Sequence, residues 1–500
     1  MNVLKKLLPL FIVITLSFWA IKPFLAPGFF PVHDDTQVAR VFEMAKSLRL
    51  GMFPVRWVPD LGYGLGYPIF NFYAPLSYYF GSVFNLFGLD ALSATKIMMG
   101  TGIILAGIFM YLFVAELFGA AAGVIASLFY VYTPYHALDI YVRGDVAEFW
   151  AYAFIPLVFY GLWKTYKNKS WLFVIISSLG YAGIILSHNL TAMMASPFLL
   201  FYILFLIVSL YRKKQKKEIM YLLSGLIFGV AVSCFYWLPA LAEMKYTNVL
   251  SQIGGGANFL DHYVCFSQLW SSPWGYGGSA KGCVDGLSFM AGKLHILISI
   301  ASFIGVIFLF FIKKQKQNTE KILITSFSFL GFVFSVFLTL ETSKFVWQAI
   351  PLMAFFQYPW RFLLMISFFS SLMAGSFIWL ISFLPLKRFF PHFVLETGAI
   401  LILVLLFLNV KFFVPQKSLP VDSNYYTNEF SLKWTTSKIS DEYLPKDIKK
   451  PKNANEALLN KQAFMFKETP IEKAADIISI CGIVILFIGI ILPGKKYYGK

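Results

Sequence analysis

Four carboxyl groups and one imidazole stand out by type and spacing. They are Asp34 and Asp35 in tandem, Asp145 and Glu148 three residues apart, and His188. Carboxylates with an imidazole suit a hard divalent cation such as Mn2+ or Mg2+. A carboxylate held nearby can take a proton from a reacting hydroxyl. Asp34 and Asp35 are the candidate catalytic pair. Asp35, Asp145, Glu148 and His188 are the candidate metal ligands. Arg143, Lys293 and Arg361 are the candidates for neutralising a phosphate. Each has a plainer reading. Asp34 and Gln37 have the spacing of a capping box. Asp145 could cap a helix or pair with Arg143, and Glu148 shares its helix face. His188 could pack with a hydrogen bond. Arg361 follows Tyr358-Pro359-Trp360 and could snorkel at a membrane interface. Asp139 reads as a loop charge.

Such residues need elements to bring them together, and composition says which kind. The chain has 500 residues, 58% hydrophobic and 13% charged, with a mean hydropathy of +0.69. So few charges cannot cover a water-facing surface of matching size, which excludes an ordinary soluble enzyme and a disordered chain. The 55 Phe, 27 Tyr and 12 Trp suit lipid faces and interfacial belts. The chain reads as an all-α polytopic membrane protein. Twelve stretches are apolar enough to be spans: 7–26, 95–116, 121–135, 148–165, 171–187, 193–211, 219–240, 292–312, 322–340, 361–385, 394–413 and 475–494.

The basic residues test that arrangement. They cluster at Lys5 and Lys6, at Lys164, Lys167 and Lys169, and at 212–217. Further clusters are Lys313, Lys314, Lys316 and Lys321, then Lys387 and Arg388, then Lys495, Lys496 and Lys500. All fall on one side of a twelve-span chain, where nineteen bases meet at most four acids, Glu116, Glu218, Glu320 and Glu396. The net charge of +17 is therefore mainly a positive-inside signal, not a nucleic-acid patch. The expectation is a multi-pass protein of the plasma or inner membrane with both termini cytoplasmic. The first span resembles a signal peptide, but it is long and no small-x-small site follows, so it reads as a retained anchor.

The long polar segments, 27–94, 136–147, 241–291, 341–360 and 414–474, then all face outward. The expected organisation is a polytopic domain over 1–413, an outer polar segment over 414–474, and a last helix and tail over 475–500. In the first outer loop Val38, Val41, Phe42, Ala45 and Leu48 take one helical face, while Arg40, Glu43, Lys46 and Ser47 take the other. This predicts an amphipathic helix lying in the membrane interface. Gly62-Tyr63-Gly64-Leu65-Gly66-Tyr67 lacks the Lys-Ser/Thr of a phosphate loop and reads as a turn-rich aromatic loop. The apolar run 75–88 is placed flat on the outer surface, because a span there would invert every later basic loop. Cys234 and Cys481 read as packing residues. Cys265 and Cys283 share an outer loop, where either a disulfide or free thiols can exist. Asn189-Leu190-Thr191 matches a glycosylation acceptor but abuts the membrane.

The order of these features resembles the GT-C superfamily of membrane glycosyltransferases over about residues 1–210. Asp34-Asp35 match its first outer acid and Asp145 its second. The run Pro75-Leu76-Ser77-Tyr78-Tyr79 to Leu86-Phe87-Gly88 is similar to a stretch of its arabinose and mannose branches. A longer resemblance is to the bacterial membrane proteins described as 6-pyruvoyl-tetrahydropterin synthase-related, and to YfhO-like proteins. It rests on His33-Asp34-Asp35-Thr36-Gln37, Pro54 to Gly64, Phe70 to Leu76, Ser187-His188-Asn189-Leu190-Thr191, Ser272 to Ser279, Gln357-Tyr358-Pro359-Trp360-Arg361 and Glu442-Tyr443-Leu444-Pro445-Lys446. The pterin chemistry of that description needs a three-histidine zinc site. His33, His136, His188, His262, His295 and His392 are scattered without ligand spacing, so it is not carried over. The resemblance implies a GT-C-like fold and transfer of a sugar from a polyprenyl-phosphate donor at the outer leaflet, with a divalent cation at the acids. The alternative is a non-enzymatic protein, a lipid-linked glycan transporter or an envelope assembly partner. No nucleic acid is expected, the bilayer is the surrounding partner, and the oligomeric state is open.

Overall fold

The computed structural model describes residues 2–249, 254, 257–311, 318–384, 390–461 and 467–491. Among these the elements are helices joined by turns and isolated bridges, such as Val58 with Tyr67. Each of the twelve predicted stretches coincides with an apolar helix or helix pair. Seven helices are long and apolar enough to cross a bilayer, and nine segments qualify if each of two bent pairs counts as one. Three shorter apolar helices lie at Ala120–Val131, Trp171–Ser187 and Lys293–Leu309. The bends have a local cause. In Leu7–Leu16 with Phe18–Leu25, bent by 41°, Ser17 Oγ donates to the Val13 carbonyl; in Lys216–Val232 with Cys234–Tyr246, bent by 62°, Ser233 Oγ donates to the Gly229 carbonyl. A hydroxyl bonded back to the i−4 carbonyl competes with the helix ladder and bends it. The clusters at Lys313, Lys314 and Lys316, at Lys387 and Arg388, and at Lys495, Lys496 and Lys500 lie outside the described residues.

The chain forms two compact units, each assembled from three separate stretches. One comprises 1–26, 101–143 and 253–417. Its core is Leu363–Ile381, buried almost throughout and packed against Ala120–Val131, Lys293–Phe311 and Thr319–Thr339. Tyr132 and Tyr141 hydroxyls donate to the carbonyls of Leu16 and Ala20, tying the first apolar segment into this unit. Cys265 and Cys283 form a disulfide, with Cα atoms 5.5 Å apart.

The other unit comprises 27–100, 144–252 and 418–500. Its helices are α1 (Gln37–Arg49), α2 (Leu76–Leu86), α3 (Val146–Asn168), α4 (Trp171–Ser187), α5 (Asn189–Arg212), α6 (Ile219–Val232), α7 (Cys234–Glu243) and α8 (Pro470–Ile491). Within this unit the chain from Ser418 onward packs with 27–100 and 144–252. Helix α2 has 11 residues, too few to cross a bilayer.

Helices α3 and α4 are antiparallel and meet backbone to backbone. A Cβ on Gly161 would lie 2.4 Å from the Ser177 nitrogen, and one on Gly180 would lie 2.6 Å from the Val158 nitrogen. Small residues allow this approach where lipid gives no hydrophobic drive between helices. The contact sets the register of the hairpin. At one end Lys169 pairs with Glu218 at 3.5 Å and Lys213 Nζ donates to Tyr166 at 2.8 Å, so two of the predicted basic turns meet. The start of α3 and the α4–α5 junction occupy the other end.

Helix α1 corrects the sequence reading. Its apolar face is buried, but so are Arg40, Glu43 and Ser47, so it does not lie with a polar face in water. The polar face is covered by α2 and the C-terminal segment, and its charges have internal partners.

Candidate acidic site

The second unit builds the site at the lysine-free end of the α3–α4 hairpin. Asp145 caps α3, its Oδ1 accepting from the Glu148 nitrogen at 3.1 Å. One turn into the helix, Glu148 is fully buried. His188 is extended at the junction of α4 and α5, with Nδ1 2.8 Å from Thr191 Oγ1. One ligand atom from each of Asp145, Glu148 and His188 lies within 4.8 Å of the others, and among the described residues this is the one such group. Ligand atoms around a single small divalent cation sit about 3–4.3 Å apart, given bonds of about 2.1 Å. Two carboxylates and an imidazole, all largely buried, therefore fit a cation after a contraction of a few tenths of an ångström.

Backbone chemistry places the aspartate pair beside this group. Gly144, at φ +65°, has Val32 side-chain carbons 2.4 Å from where a Cβ would be, so glycine alone fits between the loop and α3. Gln37 Nε2 donates to the Gly144 carbonyl at 2.8 Å and to the Asp34 carbonyl at 3.1 Å. The predicted capping box does not form. Thr36 is the N-cap of α1, and Gln37 points across to the second loop instead. Tyr78 donates to Gln37 Oε1 at 2.5 Å, and Arg40 donates to Tyr78 at 3.3 Å. The Arg40 guanidinium lies 4.2 Å above the Tyr73 ring. Burial, then the nearby charge of Tyr78, Asp145 and Asp34, holds the Tyr73 hydroxyl protonated far above its ordinary range, against the pull of Arg40. The charges of Asp34 and Asp145, 111 positions apart, are thus both felt at one hydroxyl.

Asp35 departs from the expected ligand set, since it is not in the three-residue group. Burial raises its carboxyl to about 6, and its charge is felt by Tyr426 of the C-terminal segment. The expected phosphate-binding cations belong to the other unit. Arg143 is buried, paired with Asp139 at 2.5 Å and stacked 4.9 Å from the Trp360 ring, so Asp139 is more than a loop charge. Arg361 is buried and donates to the Phe356 carbonyl and Gln357 Oε1. Lys293 is exposed, and with Lys411 it borders a cavity of about 460 Å3.

Sequence reasoning missed four residues that hold the site. Arg40 reads as part of the polar face of its helix, and Tyr73 and Tyr78 stand only within the stretches that carry the family resemblances. Glu442 lies 400 residues downstream. Arg40 Nη2 donates to Ser440 Oγ at 3.0 Å, and Ser440 Oγ donates to Glu442 Oε1 at 3.2 Å. Burial pushes the Glu442 carboxyl up although Arg40 pulls it down. One signal was present: an Arg and a Glu one turn apart on a helix directly after the acid pair.

These features define a class, a polytopic α-helical membrane protein with a GT-C-like fold and a buried acidic site. A family model described as "6-pyruvoyl-tetrahydropterin synthase related domain; membrane protein" matches residues 70–419, and the chain belongs to that family. An uncharacterised protein of Lactococcus lactis subsp. cremoris is 25% identical over 241 residues, 47% of this chain and 39% of the relative. Among solved structures, the Archaeoglobus fulgidus oligosaccharyltransferase tethered to an acceptor peptide aligns with a TM-score of 0.52 at 12% identity, covering 96% of this chain. The arabinofuranosyltransferase AftD from mycobacteria aligns at 0.51 and 13% identity over 84%. The archaeal enzyme in complex with an inhibitory peptide and a dolichol-phosphate aligns at 0.51. The chain spans 64% of the oligosaccharyltransferase and 28% of AftD, and at these identities the likeness is one of fold. His136 and His295 bond to the carbonyls of Val131 and Phe129; His188 is the one histidine in the three-residue group.

Proposed function

We propose that the protein is an integral-membrane glycosyltransferase that takes a sugar from a polyprenyl-phosphate carrier at the outer face of the plasma or inner membrane, with both termini cytoplasmic. The observation that carries this reading is the gathering of Asp145, Glu148 and His188 beside Asp34 in a GT-C-like fold. The dolichol-phosphate and acceptor peptide bound by the archaeal structures support a lipid-linked donor. Asp145, Glu148 and His188 hold a divalent cation, Mn2+ or Mg2+, whose role when bound is to stabilise the negative phosphate of the leaving lipid. Asp35 is the general base. A carboxyl raised to about 6 is largely ionised at neutral pH, yet basic enough to accept a proton. It takes the acceptor's hydroxyl proton, the oxygen bonds to the anomeric carbon, and the bond from that carbon to the phosphate oxygen breaks. Asp34 and Tyr73 orient the cation side.

The test is purified protein with a panel of radiolabelled polyprenyl-phosphate sugars, with and without chelator. Transfer is expected from at least one donor, lost on chelation and restored by Mn2+ or Mg2+. Asp145→Asn is expected to insert normally, to bind Mn2+ at least tenfold more weakly and to lose transfer. Full activity in Asp34→Asn, Asp35→Asn and Asp145→Asn alike would overturn the assignment.

A further inference from the structure

A second cavity, of about 630 Å3, opens in the same unit. Its walls include the aromatic rings of Trp57, Phe72 and Tyr246, and its polar floor includes Asn71, Glu243 and Thr469. The floor is built rather than incidental. Asn71 Nδ2 donates to Glu243 Oε2 and Thr469 Oγ1 to Glu243 Oε1, both at 2.7 Å. Behind them Arg56, 1% exposed, donates to the Phe235 carbonyl at 2.8 Å, to Asp476 at 2.7 Å and to Asn71 Oδ1 at 3.4 Å. These bonds hold the amide and the carboxylate in one orientation before any ligand arrives, which lowers the cost of ordering on binding.

We infer that this cavity binds the acceptor as a carbohydrate, an oligosaccharide without acidic groups, and the inference rests on the transferase reading. Flat aromatic rings suit the C–H faces of sugar rings, and fixed carboxylates and amides suit their hydroxyls. The volume lies in the ordinary range for organic ligands and leaves room for roughly two or three sugar rings. Asp447 and Glu472 also border it against one cation, Lys467, so with Glu243 the lining is acidic and repels a phosphorylated donor. Two segments connect it to the acidic site. Phe72 lines the cavity while Tyr73, the next residue, packs 4.2 Å from the Arg40 guanidinium. Tyr443 stacks on Phe72 at 5.5 Å, between Glu442 at the Arg40 network and Pro445 in the cavity wall. The cavity therefore shares two chain segments with the residues packed around the acidic site.

The test is saturation-transfer NMR on the full chain in nanodiscs with a panel of neutral disaccharides and trisaccharides, built from mannose, galactose, rhamnose, arabinose and N-acetylglucosamine, plus one phosphorylated disaccharide. At least one neutral sugar is expected to bind and the phosphorylated one not to. Tyr246→Ala, at a position 61% exposed, and Glu243→Gln are each expected to weaken binding at least tenfold, with Mn2+ affinity at the acidic site unchanged. Asp145→Asn is expected to keep sugar binding and lose transfer. If no neutral sugar binds, or if the Tyr246 and Glu243 variants bind as the wild type does, the cavity assignment falls. If sugars bind as stated but no lipid-linked donor gives transfer, the cavity stands and the transferase reading falls.

Discussion

At the scale of the residue, Asp35 joins function and stability with opposite signs. Its folded carboxyl titrates near 6, against an ordinary value of 3.8, because burial disfavours the charged form. The folded state therefore holds a proton that the unfolded chain has released, and stability falls as pH rises from about 4 to 6. Above that the cost is constant. As a base, Asp35 works only when ionised, so transfer is expected to rise about tenfold per pH unit below 6 and to level above it. Asp35→Asn is expected to abolish transfer yet raise unfolding stability at pH 7.5 by about 1–3 kcal/mol, read by denaturant melts in detergent. A variant that lost both would mark Asp35 as structural. The residue types and positions of this pair are legible in the sequence, but the difference between them is not. The charge of Asp34 is felt at Tyr73 with that of Asp145, whereas the charge of Asp35 is felt at Tyr426, and only the fold separates two adjacent identical side chains.

At the scale of the element, the α3–α4 hairpin and the cover of α1 carry the site. Gly161→Val would press a branched side chain into the Ser177 backbone 2.4 Å away and push the helices apart. Glu148 and His188 sit on opposite strands of that hairpin, so Mn2+ affinity is expected to fall at least tenfold although no ligand is changed. Unchanged affinity in a correctly inserted Gly161→Val protein would show that the register does not depend on this contact. The buried face of α1 makes a second prediction. Arg40→Ala removes the donor to Tyr78 and Ser440 and the positive charge that draws the Glu442 carboxyl down, so stability is expected to fall by about 1–3 kcal/mol. Adding Glu442→Gln should restore part of that stability, and a thermal melt of the single and double variants reads it. The helical period of α1 is plain in the sequence. That both of its faces are buried is not, because the covering residues Ser440 and Glu442 are 400 positions away.

At the scale of the whole molecule, the proposed orientation in the membrane rests on the charge asymmetry. Two basic turns meet at one end of the second unit while Asp145 and His188 occupy the other. A disulfide at Cys265–Cys283 fits an oxidising exterior. In a Cys481→Ser background, Lys217→Cys is expected to react with an impermeant maleimide only after permeabilisation, and Asn455→Cys in intact cells. The reverse pattern would place the acidic site in the cytosol and end the donor assignment. The boundaries of the two units were illegible for a related reason. Each is stitched from three stretches, and contacts between distant stretches leave no local period to read.

The sequence by itself determined the membrane class, the positions of the apolar helices and the identity of the acids. Hydropathy and the distribution of lysine act locally and add up along the chain, so they need no partner to be read. The tertiary structure alone decided which apolar helices form the core. Pro359–Ile381 is 94% buried over its apolar window and Phe393–Phe412 only 17%, though lipid and protein interior favour the same side chains. It also decided that Arg40 and Glu442 belong with the aspartates. A buried charge is stable only with its partner in place, and that partner can lie anywhere in the chain.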